Sequence, residues 1–339
     1  MDNLWRRGIL LSTLPPWVRY RELVDLEGAP ADSPEAVTAR LVMETSPQVM
    51  TLLADIGRWP GTVLNSHKSA SQTFHSLSLA ASLGVSPENA AIATAVNRIL
   101  ERMGPDGMPR LPMNYPAQFG GPGVETWAWA LCDAPVILAA LVRLGFGDRQ
   151  QVRDGVGTVL ALAGSYGWPC AAAPELGGFR GPGKKTDPCP YATLVSLELA
   201  SSCIASGGTD GGANSRYAGI ASSPGVLSGI EALLSCWVRS REWHPYIFYM
   251  GDDFRKLKAP LLWYDILHVT DVLSCFEVAR ADTRFLDMLG VLRAKRLEDG
   301  SYIPESTYQP YKAWDFGQKK TGSPWIGFIV RRIERRLGW

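Results

Sequence analysis

Apolar positions along the chain recur at three- and four-residue spacing almost throughout, while the strict alternation of a half-buried strand is hard to find. This pattern predicts helices over about 47–56, 70–83, 86–103, 126–144, 149–163, 190–205, 225–239, 260–279, 284–296 and 324–336. Ser86-Pro87-Glu88 is a strong start signal. It places proline where its missing N–H costs nothing and a carboxylate in the positive first turn. Glycine turns punctuate most intervals, as at Asp106-Gly107, Gly167-Trp168 and Asp299-Gly300.

Helices opening near 70, 126, 190, 260 and 324 lie about 56 to 70 residues apart, each followed by one partner. A repeat of that length is one helical hairpin that buries its face only by stacking on neighbours. The first helix of each pair is apolar nearly all round, as in Tyr191–Ala205, so it belongs inside a second layer. The long loops all precede these inner helices and so share one end. The expectation is an all-α fold, an α/α toroid of about five hairpins. Residues 1–45 form an N-terminal helical cap and 46–339 a single toroid domain. The glycine-rich stretch 207–224 is read as a loop within that domain.

Apolar residues make up 46% and charged residues 20% of the 339, which excludes a disordered or fibrous chain. The formal net charge of +1 gives no global field for nucleic acid. The amino terminus lacks a signal-peptide pattern, and the longest apolar stretch, about 134–142, is far too short to span a bilayer. A soluble cytoplasmic protein is expected; the oligomeric state is left open.

Leu297-Glu298-Asp299-Gly300-Ser301-Tyr302, a hairpin ending in Asp-Gly before an aromatic, resembles the squalene-cyclase and prenyltransferase superfamily of α/α toroids. The segments Ser66–Lys68, Leu131–Pro135, Phe179–Gly183, Asp187–Tyr191, Asp253–Pro260 and Trp314–Lys320 are closer still to a group of bacterial proteins described as squalene-cyclase-like. The resemblance implies the toroid and an apolar substrate within it. The Asp-x-Asp-Asp acid motif of the proton-donating cyclases is absent, as is the Asp-Asp-x-x-Asp motif that binds magnesium diphosphate.

Among the six cysteines, Cys203, Cys236 and Cys275 fall in apolar helical stretches and read as buried small residues. Cys132, expected in the first half of an inner helix, Cys170 in a rim loop and Cys189 at a helix start would share one rim. With His268 they supply a zinc shell by residue type, zinc being favoured by soft ligands. A Cys170–Cys189 redox pair and inert thiols are the alternatives. His268, three residues after Asp265 and so on one helix face, is a candidate base oriented by that carboxylate; His67 and His75 are further acid–base candidates. Arg180, Lys184 and Lys185, Arg255 and Lys258, and Lys319 precede inner helices and would make the rim attractive to an anionic head group. Twelve tryptophans, several near the same loops, suit an apolar chain or a carbocation, or else wedge hairpins together. The functional expectation is an enzyme acting on an apolar, anionic-headed small molecule, with possible zinc assistance. The alternatives are a zinc enzyme of the peptide-cyclase type and a binding protein with a structural metal.

Overall fold

The computed structural model describes residues 14–179, 181, 184, 187–207, 217 and 219–339. Most of the 207–224 stretch, and both Arg180 and Lys185, lie outside the described residues.

Five helices form an inner ring: α4 (Thr73–Leu83), α6 (Ala134–Leu141), α8 (Pro190–Ser206), α10 (Ile266–Leu273) and the amphipathic α13 (Pro324–Arg336). Each packs on the next in that order. The gap between α13 and α4 is closed by the N-terminal segment. There α1 (Pro16–Arg21) and its π-helical continuation Glu22–Leu26 touch both neighbours. The described ring therefore has six members. Around it lie α2 (Pro34–Glu44), α3 (Pro47–Ile56), α5 (Ala90–Glu101), α7 (Gln150–Ala161), α9 (Pro224–Val238), the single turn α11 (Glu277–Arg280) and α12 (Thr283–Arg293). This is an α/α toroid: an inner ring of helices closed on itself, with partner helices outside.

Local chemistry explains where the helices begin. Proline sits in the first turn of α8, α9 and α13, where the N–H it lacks would be an orphan in any case. Ser323 accepts from the Ile326 N–H and Asn89 from the Ala91 N–H as N-caps of α13 and α5. Two expected helices are shorter than the periodicity implies. The helix expected over 126–144 begins only at Ala134, because Pro135 is tolerated only in the first turn; Asp133 stands at the N-cap position, its carboxylate turned to the Ala130 N–H and His67. The preceding residues form β2 (Thr126–Ala128), antiparallel to β1 (Leu111–Met113). Cys132 thus lies in the turn before α6 rather than inside the helix. The helix expected over 260–279 begins at Ile266, where the Asp265 carboxylate accepts the Leu267 and His268 N–H groups. It breaks after Leu273. A second short pair joins β3 (Lys258–Ala259) in parallel to β4 (Ser306–Thr307).

The two layers interlock through large aromatics. Trp168, fully buried, donates its indole N–H to the Val159 carbonyl at 2.6 Å and packs against Gly229 of α9. A methyl group at Gly229 would lie 2.6 Å from the Trp168 ring, so the absent side chain lets α9 approach. The Asp106-Gly107 turn works the same way against α7. Gly107 adopts a φ of 70° and its backbone abuts Gly155, where no Cβ would fit on either side.

Candidate functional site at the ring rim

The loops that lead into α4, α6, α8 and α10 meet at one end of the ring around a cavity of about 810 Å³. That volume lies within the range of small-molecule sites. Its walls are mostly apolar. Tyr115 and Phe179 stack at 3.7 Å between ring centres, Trp263 forms part of the wall, and the exposed Phe119 stands at the edge.

Backbone pairing holds the loops in place. The Leu64 N–H donates to the Pro112 carbonyl and the Asn114 N–H to the Leu64 carbonyl, so the 63–68 loop runs beside β1. The Leu131 N–H donates to Ala171, the Ala173 N–H to Trp129, and the Cys189 N–H to Trp168. The 168–173 segment is thereby clamped between the approach to α6 and the start of α8.

Three polar side chains are drawn together by this clamping. His67 Nε2 lies 2.7 Å from Asp133 Oδ2, and the Tyr115 hydroxyl lies 2.9 Å from His67 Nδ1. With Asp133 ionised, Nε2–H donates to the carboxylate and Nδ1 accepts the tyrosine O–H. Asp133 is fully buried. Burial raises its carboxyl pKa, while the hydrogen bond and charge of His67 and the Ala130 and Ala134 N–H groups pull it back. Burial, with Asp133 and two cysteines nearby, raises the Tyr115 pKa far out of the working range, so the phenol keeps its proton. His75 lies in α4 behind the cavity. Its Nε2 is 3.2 Å from the His67 carbonyl oxygen, and burial lowers its pKa to about 4, making it neutral near pH 7.

The rim cysteines expected to meet do so: Cys189 is in hydrogen-bonding contact with both Cys132 and Cys170, and all three are free thiols. Cys170 Sγ also accepts the Gly181 N–H at 3.1 Å. The hydrogen bond to Cys189, then burial, raise the Cys170 pKa; the hydrogen bond to Cys132 and burial raise that of Cys189, and both stay protonated. His268 is engaged elsewhere. Its Nδ1 lies 2.9 Å from the Trp263 carbonyl oxygen and its Nε2 3.2 Å from Glu198 of α8. Asp265 serves as the α10 cap rather than as a side-chain partner of the imidazole. Among the described residues, no group of three or more His, Cys, Asp or Glu is placed to hold a metal ion. The thiols fit a soft ion by type, but the fourth expected donor is spent on Glu198.

Of the basic residues read as a rim cluster, the described ones (Lys184, Arg255, Lys258 and Lys319) do not line the cavity. Lys258 pairs with Asp253 at 2.8 Å, the Arg255 guanidinium lies 4.7 Å from the centre of the Trp237 ring, and Lys319 is exposed. Lys184 offers its carbonyl to the Tyr246 hydroxyl. Among the described residues, the lysine that does line the cavity is Lys68, with Nζ 5.7 Å from the centre of the Trp263 ring. Sequence reasoning passed over Tyr115, Asp133 and Lys68 as functional groups. Asp133 carried the one available signal, a buried-type acid directly before Ala-Pro at a helix start.

Fold and site together define a helical toroid with an apolar rim cavity and a buried, hydrogen-bonded trio of tyrosine, histidine and aspartate. Among solved structures, two variants of the type II terpene cyclase MstE from Scytonema are similar. The one in complex with merosterolic acid A, its product, is 12% identical with a TM-score of 0.39 over 95% of this chain and 86% of that one. The other, with the substrate geranylgeranyl dihydroxybenzoate, is 11% identical with a TM-score of 0.40 over 95% and 87%. No family model matches the chain, and no curated protein matches it. No helix among the described residues is long and apolar enough to cross a membrane.

Proposed function

We propose that the chain is an enzyme that holds an apolar, unsaturated substrate in the rim cavity and moves a proton between it and the Tyr115–His67–Asp133 chain. The carrying observation is that this hydrogen-bonded chain, at 2.9 and 2.7 Å, opens onto a cavity lined by Tyr115, Phe179 and Trp263. A substrate carbon beside a developing cation loses its proton to the Tyr115 oxygen. The phenolic proton passes at the same time to His67 Nδ1, and Asp133 stabilises the imidazolium. The reverse transfer protonates the substrate. Concerted transfer fits a phenol that does not ionise by itself. The aromatic walls stabilise positive charge on the substrate through their negative faces. Lys68 and the amino-terminal ends of α4, α6 and α8 receive an anionic head group at the mouth.

The test incubates the protein with polyprenyl alcohols, carboxylates and diphosphates and follows products by mass spectrometry. Turnover of at least one is expected, falling by about 10²-fold in Tyr115→Phe and in His67→Gln. Turnover unchanged in both variants refutes the relay.

One observation favours a second reading, a zinc-assisted enzyme: the contact of Cys189 with Cys132 and Cys170. Elemental analysis of protein purified without added metal tests it. About one equivalent of zinc, lost in Cys189→Ser, supports that reading; its absence, with no uptake on adding zinc, removes it.

A further inference from the structure

The hairpin loop between β1 and β2 reaches the rim cavity but takes no part in the proton relay beyond Tyr115. Met113 pairs with Thr126, which closes the base of the hairpin. Asn114 is tied to Leu64, and Tyr115 is buried in its stack with Phe179. From Pro116 to Glu125 every residue is exposed or half-buried. The backbone bonds of this part stay within it. The Phe119 and Gly121 N–H groups donate to the Pro116 carbonyl, the Gly120 N–H to Ala117 and the Gly123 N–H to Tyr115. Among the described residues, no hydrogen bond joins 116–124 to a residue outside 115–126. The loop meets the neighbouring rim loop at Gly120, whose backbone lies against Gly178 with no side chain interlocked between them. A segment held by its own bonds, with little buried contact, opens at low free-energy cost.

Its tip carries Phe119, 61% exposed and yet part of the cavity wall. Val63, also exposed, lines the same mouth. Apolar side chains exposed singly are ordinary, but these two share the opening of one apolar cavity.

We propose that the 116–124 loop is a flap that closes over an apolar ligand in the rim cavity, with Phe119 as the side chain that meets it. The β1–β2 pairing and the bond from Gly123 to Tyr115 are its fixed base, and the turn Ala117–Phe119 is the part that moves. Closure takes the Phe119 ring out of water and shuts water out of the mouth. The flap rests on the reading of the rim cavity as a site for an apolar ligand, not on the proton transfer proposed there.

The experiment uses the full-length protein and geranylgeraniol, an uncharged polyprenyl alcohol, as the probe. Chymotrypsin cleavage between Phe119 and Gly120, mapped by mass spectrometry, should slow by about fivefold or more at saturating probe, because cleavage follows the open population. Cleavage after Tyr249, which is 51% exposed and not part of the cavity wall, should not change. Burying the exposed part of the Phe119 ring, on the order of 100 Å², sets a ceiling of about fiftyfold on the affinity that closure adds. Phe119→Ala should therefore weaken probe binding, followed by tryptophan fluorescence, by about tenfold, and Phe119→Leu by less. Neither should shift the melting midpoint of the unliganded protein, where Phe119 packs little. Tyr115→Phe should keep the protection at Phe119 while losing turnover, so that flap and relay fail separately. Wild-type affinity in Phe119→Ala overturns the flap alone. So does probe binding without protection at Phe119, or with equal protection at Tyr249. No binding of the probe overturns the flap together with the apolar reading of the cavity.

Discussion

Replacing Glu198 by glutamine removes a charge that two elements share inside the ring. One carboxylate oxygen accepts from Arg143 at 2.8 Å and the other lies 3.2 Å from His268 Nε2. Burial by itself would raise the pKa of this carboxyl. The charge of Arg143 and the hydrogen bond and charge of His268 outweigh burial and hold it at about 2, against an ordinary 4.5. At about 1.4 kcal/mol per pH unit, that displacement is worth about 3 kcal/mol near pH 7. The side chain is only 9% exposed, so solvent screens little of it. The sign follows from proton counts. Between pH 2 and 4.5 the unfolded chain binds more protons at this residue, so its stabilisation is full above pH 4.5 and fades toward pH 2. Urea denaturation at pH 7 should therefore show Glu198→Gln less stable by about 2–3 kcal/mol, with an unchanged m-value. The deficit should narrow by about 1 kcal/mol at pH 3.5. The His268 pKa, which Glu198 raises against the effect of burial, should fall in the variant when followed by NMR. A deficit under about 1 kcal/mol at pH 7, or one that does not change with pH, refutes this reasoning.

Other consequences follow from the same contacts. Asp315 accepts the Trp17 indole N–H and the Trp325 backbone N–H, both at 3.0 Å, tying the N-terminal segment to the start of α13. Asp315→Asn should cost about 1–3 kcal/mol and raise amide exchange in α1 before α8; equal exchange in the two contradicts ring closure through this residue. Gly229→Ala should destabilise by about 1–3 kcal/mol by displacing the Trp168 ring, read from the thermal midpoint, and an unchanged midpoint contradicts the packing argument. Burial raises the Asp265 pKa to about 6, so its contribution to stability falls as pH rises from 3.8 to 6. His75, lowered to about 4, contributes stability that rises between pH 4 and 6.5. Asp265→Asn, which keeps the Oδ1 cap, should steepen the rise of stability with pH over that range in a pH series of melts; an unchanged profile refutes the assignment.

The toroid was legible because its cause is periodic. Inner helices buried all round, α6 and α8 above all, carry apolar residues on nearly every face, and Pro190 marks the start of α8; α13, which Pro324 opens, is amphipathic and was found by its period and its start signal instead. The meeting of Cys132, Cys170 and Cys189 was legible for the same reason, since all three sit where loops enter the inner ring. The helix expected over 126–144 misled because Trp127, Trp129 and Leu131 are as apolar as a helix face. The period changes there from helix to strand, and Pro135 was the sign of it. Tyr115 and Lys68 carried no spacing signal, being aligned by the pairing of the 63–68 loop with β1, which is a long-range event. Glu198 did leave a trace: it is the one charged residue in the otherwise uncharged helix α8, and a lone buried acid needs a cation. Its partners Arg143 and His268 lie 55 and 70 residues away, beyond what local pattern reveals.

The most direct test of the central claim is turnover in deuterium oxide. An apolar unsaturated substrate that the protein converts should gain or exchange one hydrogen with solvent at the reacting carbon. That exchange should fall by about 10²-fold in Tyr115→Phe and in Asp133→Asn, both folded as judged by thermal melts. Product formed at the wild-type rate by both variants, or formed without any solvent hydrogen entering or leaving the substrate, would contradict a proton-transfer site at this rim.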